Sequence, residues 1–200
     1  MSQGHNSQLQ QPAHRKQHGF TLVELMIVIA VLAVIATLAA PSFNNFILTQ
    51  RLKAISAQFT TDVQFARTEA VSRNQFVRLR FSGNVNESCY VIFTGANNIA
   101  CDCINTPVCA VTAQEIRTVR VPSNLGVNLA AATVPPRFRV DPTNTGILTD
   151  PINPFGGGGS NDFTVNIGID NARTLRTVIS LSGRPAVCVP AGSNIAGVAC

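Results

Sequence analysis

The stretch KQHGFTLVELMIVIAVLAVIATLAAP, from Lys16 to Pro41, decides how the rest of the chain is read. Its otherwise apolar run from Phe20 to Ala40 is 21 residues long and carries one carboxylate, Glu24. About 20 apolar residues cross a bilayer as a helix, so this run is long enough to span. A buried core helix is the alternative, but the flanks oppose it: the polar leader ends in HRKQHG and Pro41 closes the run. His14, Arg15 and Lys16 mark the cytoplasmic side by the positive-inside rule, which sends everything after Pro41 across the membrane. An ordinary secretory signal, cut after Ala39 and Ala40, is a second alternative.

The whole chain has 200 residues, 46% hydrophobic and 12% charged, which suits one membrane segment and one globular domain. The net charge is +5, but Arg15 and Lys16 precede the apolar run, so 13 basic and 10 acidic residues remain from Phe20 onward. Thirteen of the 15 basic residues are arginine, the type suited to planar, bidentate contacts with carboxylates and phosphates.

Beyond Pro41, Leu48, Leu52, Ile55, Phe59, Val63, Ala66 and Ala70 recur at spacings of 4 and 3, drawing one stripe along a helix. The membrane helix is therefore expected to continue to about Ser72, on the order of 80 Å in all at 1.5 Å per residue. After Asn74 the period becomes alternating. FVRLRF places Val77, Leu79 and Phe81 on one face, and FTVNIGI does the same for Phe163, Val165, Ile167 and Ile169. CYVIF, TVRV, GVNLA, RFRV and LRTVISL are further short strands between Gly-, Asn- and Asp-rich turns. NPFGGGGSND, Asn153 to Asp162, reads as a mobile loop, since it lacks the Gly-Lys-Ser/Thr ending of a phosphate-cradling loop. The expected organisation is α+β: a leader over 1–19, a membrane-spanning helix over 20–40, its continuation over 41–72, and a β-rich domain over 73–200.

GFTLVE followed by an apolar run resembles the class III signal of type IV pilins and pseudopilins. The resemblance implies that a prepilin peptidase cuts between Gly19 and Phe20 and that Phe20 becomes N-methylated. Glu24 is then the fifth mature residue and Pro41 the twenty-second, as in that family. A carboxylate inside a membrane is costly and is expected to have a partner. In stacked pilins that partner is thought to be a neighbour's N-terminal ammonium, which would make Glu24 a register pin, with snorkelling to the headgroups as the alternative. The stretch from Val63 to Asn74, VQFARTEAVSRN, is similar to a phrase of the GspH/FimT branch of minor pseudopilins. This resemblance implies a pilin-like fold, and it implies other minor and major pilins or pseudopilins and the inner membrane as partners, with the globular domain in the periplasm. Glu69 and Arg73, four apart on the helix, suit a surface ion pair.

All six cysteines, Cys89, Cys101, Cys103, Cys109, Cys188 and Cys200, lie beyond the span, and an even number in an oxidising compartment reads as disulfides. Pilin-like proteins often staple their tails, which implies Cys188 with Cys200. Spacing leaves the other four open. Cys101 and Cys103, separated by Asp102 alone, are poor partners for each other, which leaves Cys89 with one and Cys109 with the other. A four-thiolate zinc site is the rival reading.

All three histidines, His5, His14 and His18, lie in the leader, so the mature chain has no imidazole for Ser-His or Cys-His nucleophilic schemes. No catalytic residue, cofactor or metal is expected. Two functions remain. One is a structural subunit that primes or caps a type IV pilus or the pseudopilus of a type II secretion system. The other is capture of DNA in natural transformation, by Arg173, Arg176 and Arg184 making sequence-independent phosphate contacts. Family members described as DNA-binding carry a GRxR phrase near the C-terminal cysteine. Gly183 and Arg184 match it, but Ala186 stands where the second arginine belongs.

Overall fold

The structure, a computed structural model, describes residues 20–95, 99–149 and 162–200, leaving aside the side chains of 38–42. The expected leader and all of the glycine-rich loop but Asp162 lie outside the described residues. The chain divides into two compact units, Met1–Phe43 and Asn44–Cys200. One helix, α1 (Leu22–Arg73), runs through both.

In the first unit every large apolar side chain described, from Phe20 to Ile35, is 50–82% exposed. Among the described residues no helix is long and apolar enough to cross a membrane. The expected span of 20–40 extends over side chains that lie outside the description.

The second unit packs the later half of α1 on antiparallel sheets, an α+β arrangement. Among the described residues nine strands follow the helix: β1 (Val77–Gly83), β2 (Glu87–Gly95), β3 (Ala113–Pro122), β4 (Asn128–Ala131), β5 (Arg137–Val140), β6 (Ile147–Thr149), β7 (Phe163–Asp170), β8 (Arg173–Ile179) and β9 (Pro185–Cys188). They form a five-stranded sheet in the order β3-β2-β1-β5-β6 and a four-stranded sheet in the order β4-β7-β8-β9. β6 and β9 are short strands that alternation alone did not reveal.

The helical stripe and the two sheets share one core. Leu52, Phe59, Val63, Ala66 and Ala70 are fully buried, as are Val77 and Leu79 of the first sheet and Phe163, Val165 and Ile167 of the second. Aromatic rings join the layers: Phe59 of α1 lies 5.6 Å from Phe81, which lies 5.5 Å from Phe163. Ile169 also packs against this core, though only partly buried, beside a register shift between Gly168 and Asp170 in the pairing of β7 with β8.

Strand β2 is buried on both faces, which needs a cover on the side away from the helix. A second small core supplies it: Cys89, Val91 and Phe93 of β2 pack with Cys101 and Cys103 from the loop that leads to β3. Disulfides Cys89–Cys103 and Cys101–Cys109 hold that loop in place. The third bridge, Cys188–Cys200, fixes the tail beside β9, where Val189 pairs in parallel with Ala199 and covers part of a sheet edge. All six cysteines lie among the described residues, and the three bridges take up all of them.

Candidate functional site: the helix start and the arginine clusters

Thr21 stands immediately before α1, and its hydroxyl accepts the backbone N–H of Glu24 at 3.2 Å. Thr-x-x-Glu is the spacing of a capping box, in which the hydroxyl satisfies an amide that has no intrahelical partner. Glu24 also lies in the first turn, where the helix dipole favours an anion. The acid is thus suited to its place by local helix chemistry before any neighbour is considered. Phe20 is exposed just outside the helix, while Gly19 lies outside the described residues. The helix continues through position 41, where the side chain of Pro41 is not described.

The three arginines of the expected DNA site do not converge. β8 alternates, with Leu175, Thr177 and Ile179 buried, so Arg173 and Arg176 leave the strand on opposite faces. Arg173 donates to Asp170 at 2.7 Å and to Asn45 of the helix at 3.2 Å. Its guanidinium holds the Asp170 carboxyl below its ordinary range. Arg176 donates to Asn166 Oδ1 on the neighbouring strand at 2.9 Å. Arg184 is exposed just before β9, at the far end of β8 from Arg173.

Two polar clusters escaped the sequence reading. Asp62 is 1% exposed on the buried face of α1. It accepts a hydrogen bond from the Tyr90 hydroxyl at 2.6 Å and forms a short ion pair with Arg117, whose guanidinium lies 4.5 Å from the Phe65 ring. Burial, and then the bond to Asp62, push the Tyr90 hydroxyl far above its usual pKa. The signal was present: Asp62 lies three residues after Phe59, within the apolar stripe. Arg67, inside the VQFARTEA phrase, ties the helix to two turns by donating to Thr145 O at 3.2 Å and Ser182 O at 3.4 Å. Gly183 (φ 74) fits beneath it, since a Cβ there would meet Thr145 O at 2.3 Å and Arg67 Nε at 3.0 Å. The expected pair of Arg73 with Glu69 is present at 2.5 Å, with Gln114 a further acceptor for Arg73.

Residues 56–183 match the family described as type II transport protein GspH, and residues 14–40 match the prokaryotic N-terminal methylation motif. The chain belongs to the GspH family. Two similar proteins come from Dichelobacter nodosus. The chain is 28% identical to a type IV major fimbrial protein FimA over 131 residues, which are 60% of this chain and 78% of that protein. It is 42% identical to a probable minor fimbrial protein over 41 residues, 20% of this chain and 26% of that protein. The chain thus spans about a quarter of the length of that minor fimbrial relative. No solved structure matches. This GspH chain is therefore of the type IV pilin and pseudopilin kind.

Proposed function

We propose that this chain is a minor pilin or pseudopilin, a structural subunit that primes or caps a type IV pilus or a type II secretion pseudopilus. The observation that carries the reading is the union, in one chain, of a methylation motif with an apolar helix exposed all round and a disulfide-bonded GspH domain. A helix apolar on every face is suited to lipid or to other helices. Residues 1–19 are removed by prepilin peptidase between Gly19 and Phe20, and Phe20 is methylated. Residues 20–40 hold the subunit in the inner membrane, 41–72 continue the helix outside it, and 73–200 form the domain in the periplasm. Glu24 pins the register against a neighbouring subunit's terminal amine during assembly.

The test is Glu24→Ala in cells that build the filament. The variant should be processed at Gly19 but be missing from sheared filaments, and normal incorporation would remove the register-pin role. The arrangement of Arg173, Arg176 and Arg184 favours this reading over DNA capture, because two of them already have partners and leave β8 on opposite faces.

A further inference from the structure

The three cystines differ in how far solvent reaches them. Cys89 and Cys103 are fully buried and Cys101 is 1% exposed, so the two bridges of the β2 cover lie inside the small core they help to build. That cover has ties besides its sulfurs, since Arg80 pairs with Asp102 at 2.9 Å and donates to the carbonyls of Ile99 and Cys101. Cys188 is half-buried and its partner Cys200 is exposed. Thiol–disulfide exchange begins when a thiolate reaches one sulfur of a bridge, so access decides which cystine reacts first.

The tail between Cys188 and Cys200 is anchored in its middle. Ser193 Oγ donates to Thr174 O at 2.8 Å and accepts the Thr174 amide at 3.0 Å, the Asn194 amide donates to Ala172 O at 2.6 Å, and Ile195 packs on the main core. Residues 196–200 are different, being exposed throughout, with Val198 at 78%. They rest on the outer edge of β9 through hydrogen bonds from the Val189 amide to Val198 O at 2.7 Å and from the Cys200 amide to Val189 O at 3.1 Å. Gly197 permits the close approach, because a Cβ there would meet Val189 Cγ2 at 2.7 Å. An exposed segment with so little buried apolar surface opens easily, which leaves the disulfide as its main fastening.

We propose that Cys188–Cys200 is a reducible strap on the sheet edge, opened by a dithiol before either bridge of the β2 cover. One thiolate of the dithiol attacks the exposed Cys200 sulfur, and Cys188 leaves and takes a proton. The second sulfur of the dithiol then closes on the first and releases Cys200 as a thiol, so two electrons and two protons pass to the chain and the dithiol ends as a cyclic disulfide. Residues 196–200 leave β9, and the N–H and C=O of Val189 become a free strand edge of the kind that pairs with another strand. The β2 cover stays shut at the same level of reductant, because its sulfurs are reached only after it opens. None of this depends on the filament reading.

The experiment treats the full chain in detergent micelles with rising dithiothreitol, caps the freed thiols with N-ethylmaleimide and identifies the capped cysteines by peptide mass spectrometry. Amide hydrogen exchange is followed in parallel by nuclear magnetic resonance. Cys188 and Cys200 should be capped first, with exchange at the Val189 amide rising by at least about tenfold while the Val91 amide of β2 keeps its protection. Capping of Cys89, Cys101, Cys103 or Cys109 before or together with the tail pair would overturn the order of opening. Unchanged exchange at Val189 once Cys188 and Cys200 are capped would overturn the strap, since the tail would then be held without its bridge. The double variant Cys188→Ser with Cys200→Ser should show the fast Val189 exchange without reductant, and slow exchange there defeats the proposal. Should that variant not fold, the titration of the unaltered chain decides by itself.

Discussion

The two halves of α1 solve opposite problems with the same backbone. Before Phe43 the large apolar side chains described lie exposed around the helix, while after it one stripe from Leu52 to Ala70 is buried and the opposite face is exposed and largely polar. The second half draws its stability from its own chain, because sheets and aromatic rings cover its stripe. The first half has the composition of a segment that takes its cover from outside. One continuous helix can thus be read as two objects with different solvents.

The sharpest way to break this contrast is to delete a large side chain from each half. Phe59→Ala should lower the stability of the Asn44–Cys200 unit by about 3–5 kcal/mol, read by urea unfolding in micelles, because the ring is fully buried and touches Phe81 and Tyr90. Leu32→Ala, in the exposed half, should leave that unfolding midpoint unchanged. Equal losses would mean that the two halves share one core.

Next in size is the buried acid. Asp62→Ala leaves the Tyr90 hydroxyl and one edge of Arg117 without their partner and should cost about 2 kcal/mol. The half-exposed position of Arg117 keeps the loss below that of a fully buried pair, since water can reach the orphaned cation. A cost near zero would show that the helix does not depend on this anchor.

The same cluster makes a pH prediction with a definite sign. Tyr90 is the chain's single tyrosine, and its pKa is raised in the folded state, so the protonated phenol is favoured there. Its contribution is fully present below about pH 10, where the unfolded phenol begins to ionise, and is lost above it at up to about 1.4 kcal/mol per pH unit. Tyrosinate absorbance should therefore rise only with unfolding. Titration of the phenol near pH 10 in a chain that stays folded would contradict the buried environment of Tyr90.

The smallest effect belongs to the helix surface. Glu69→Ala removes a partly exposed pair with Arg73 and should change stability by only about 0.3–0.5 kcal/mol, vanishing in high salt. A larger loss would mean that Gln114, which also accepts from Arg73, makes the pair part of the contact between helix and sheet.

Most of this architecture was legible because its signals are local and periodic. The stripe from Leu52 to Ala70 has helical spacing, and Val77, Leu79 and Phe81 alternate, so both faces follow from geometry without knowledge of partners. β2 is different, for CYVIF is apolar on both faces, and only the cystine-held loop explains why both are covered. The arginines of β8 turn on where the strand begins. Arg173 and Arg176 are three apart, and β8 sends them to opposite faces because it begins at Arg173 and not at the Leu175 that opens the expected strand LRTVISL. Asp62 and Arg67 escaped for another reason: their roles depend on Tyr90, Arg117, Thr145 and Ser182, which the chain brings to them from far along its length.

The loop over β2 gives the domain a chemical clock. Until Cys89 and Cys101 are oxidised with their partners, the cover over Val91 and Phe93 lacks its covalent fastenings and relies on contacts such as those of Arg80 with Asp102 and with the carbonyls of Ile99 and Cys101. Firm closure of this face therefore follows oxidation, and a chain kept reduced should expose more of Val91 and Phe93 than the oxidised one.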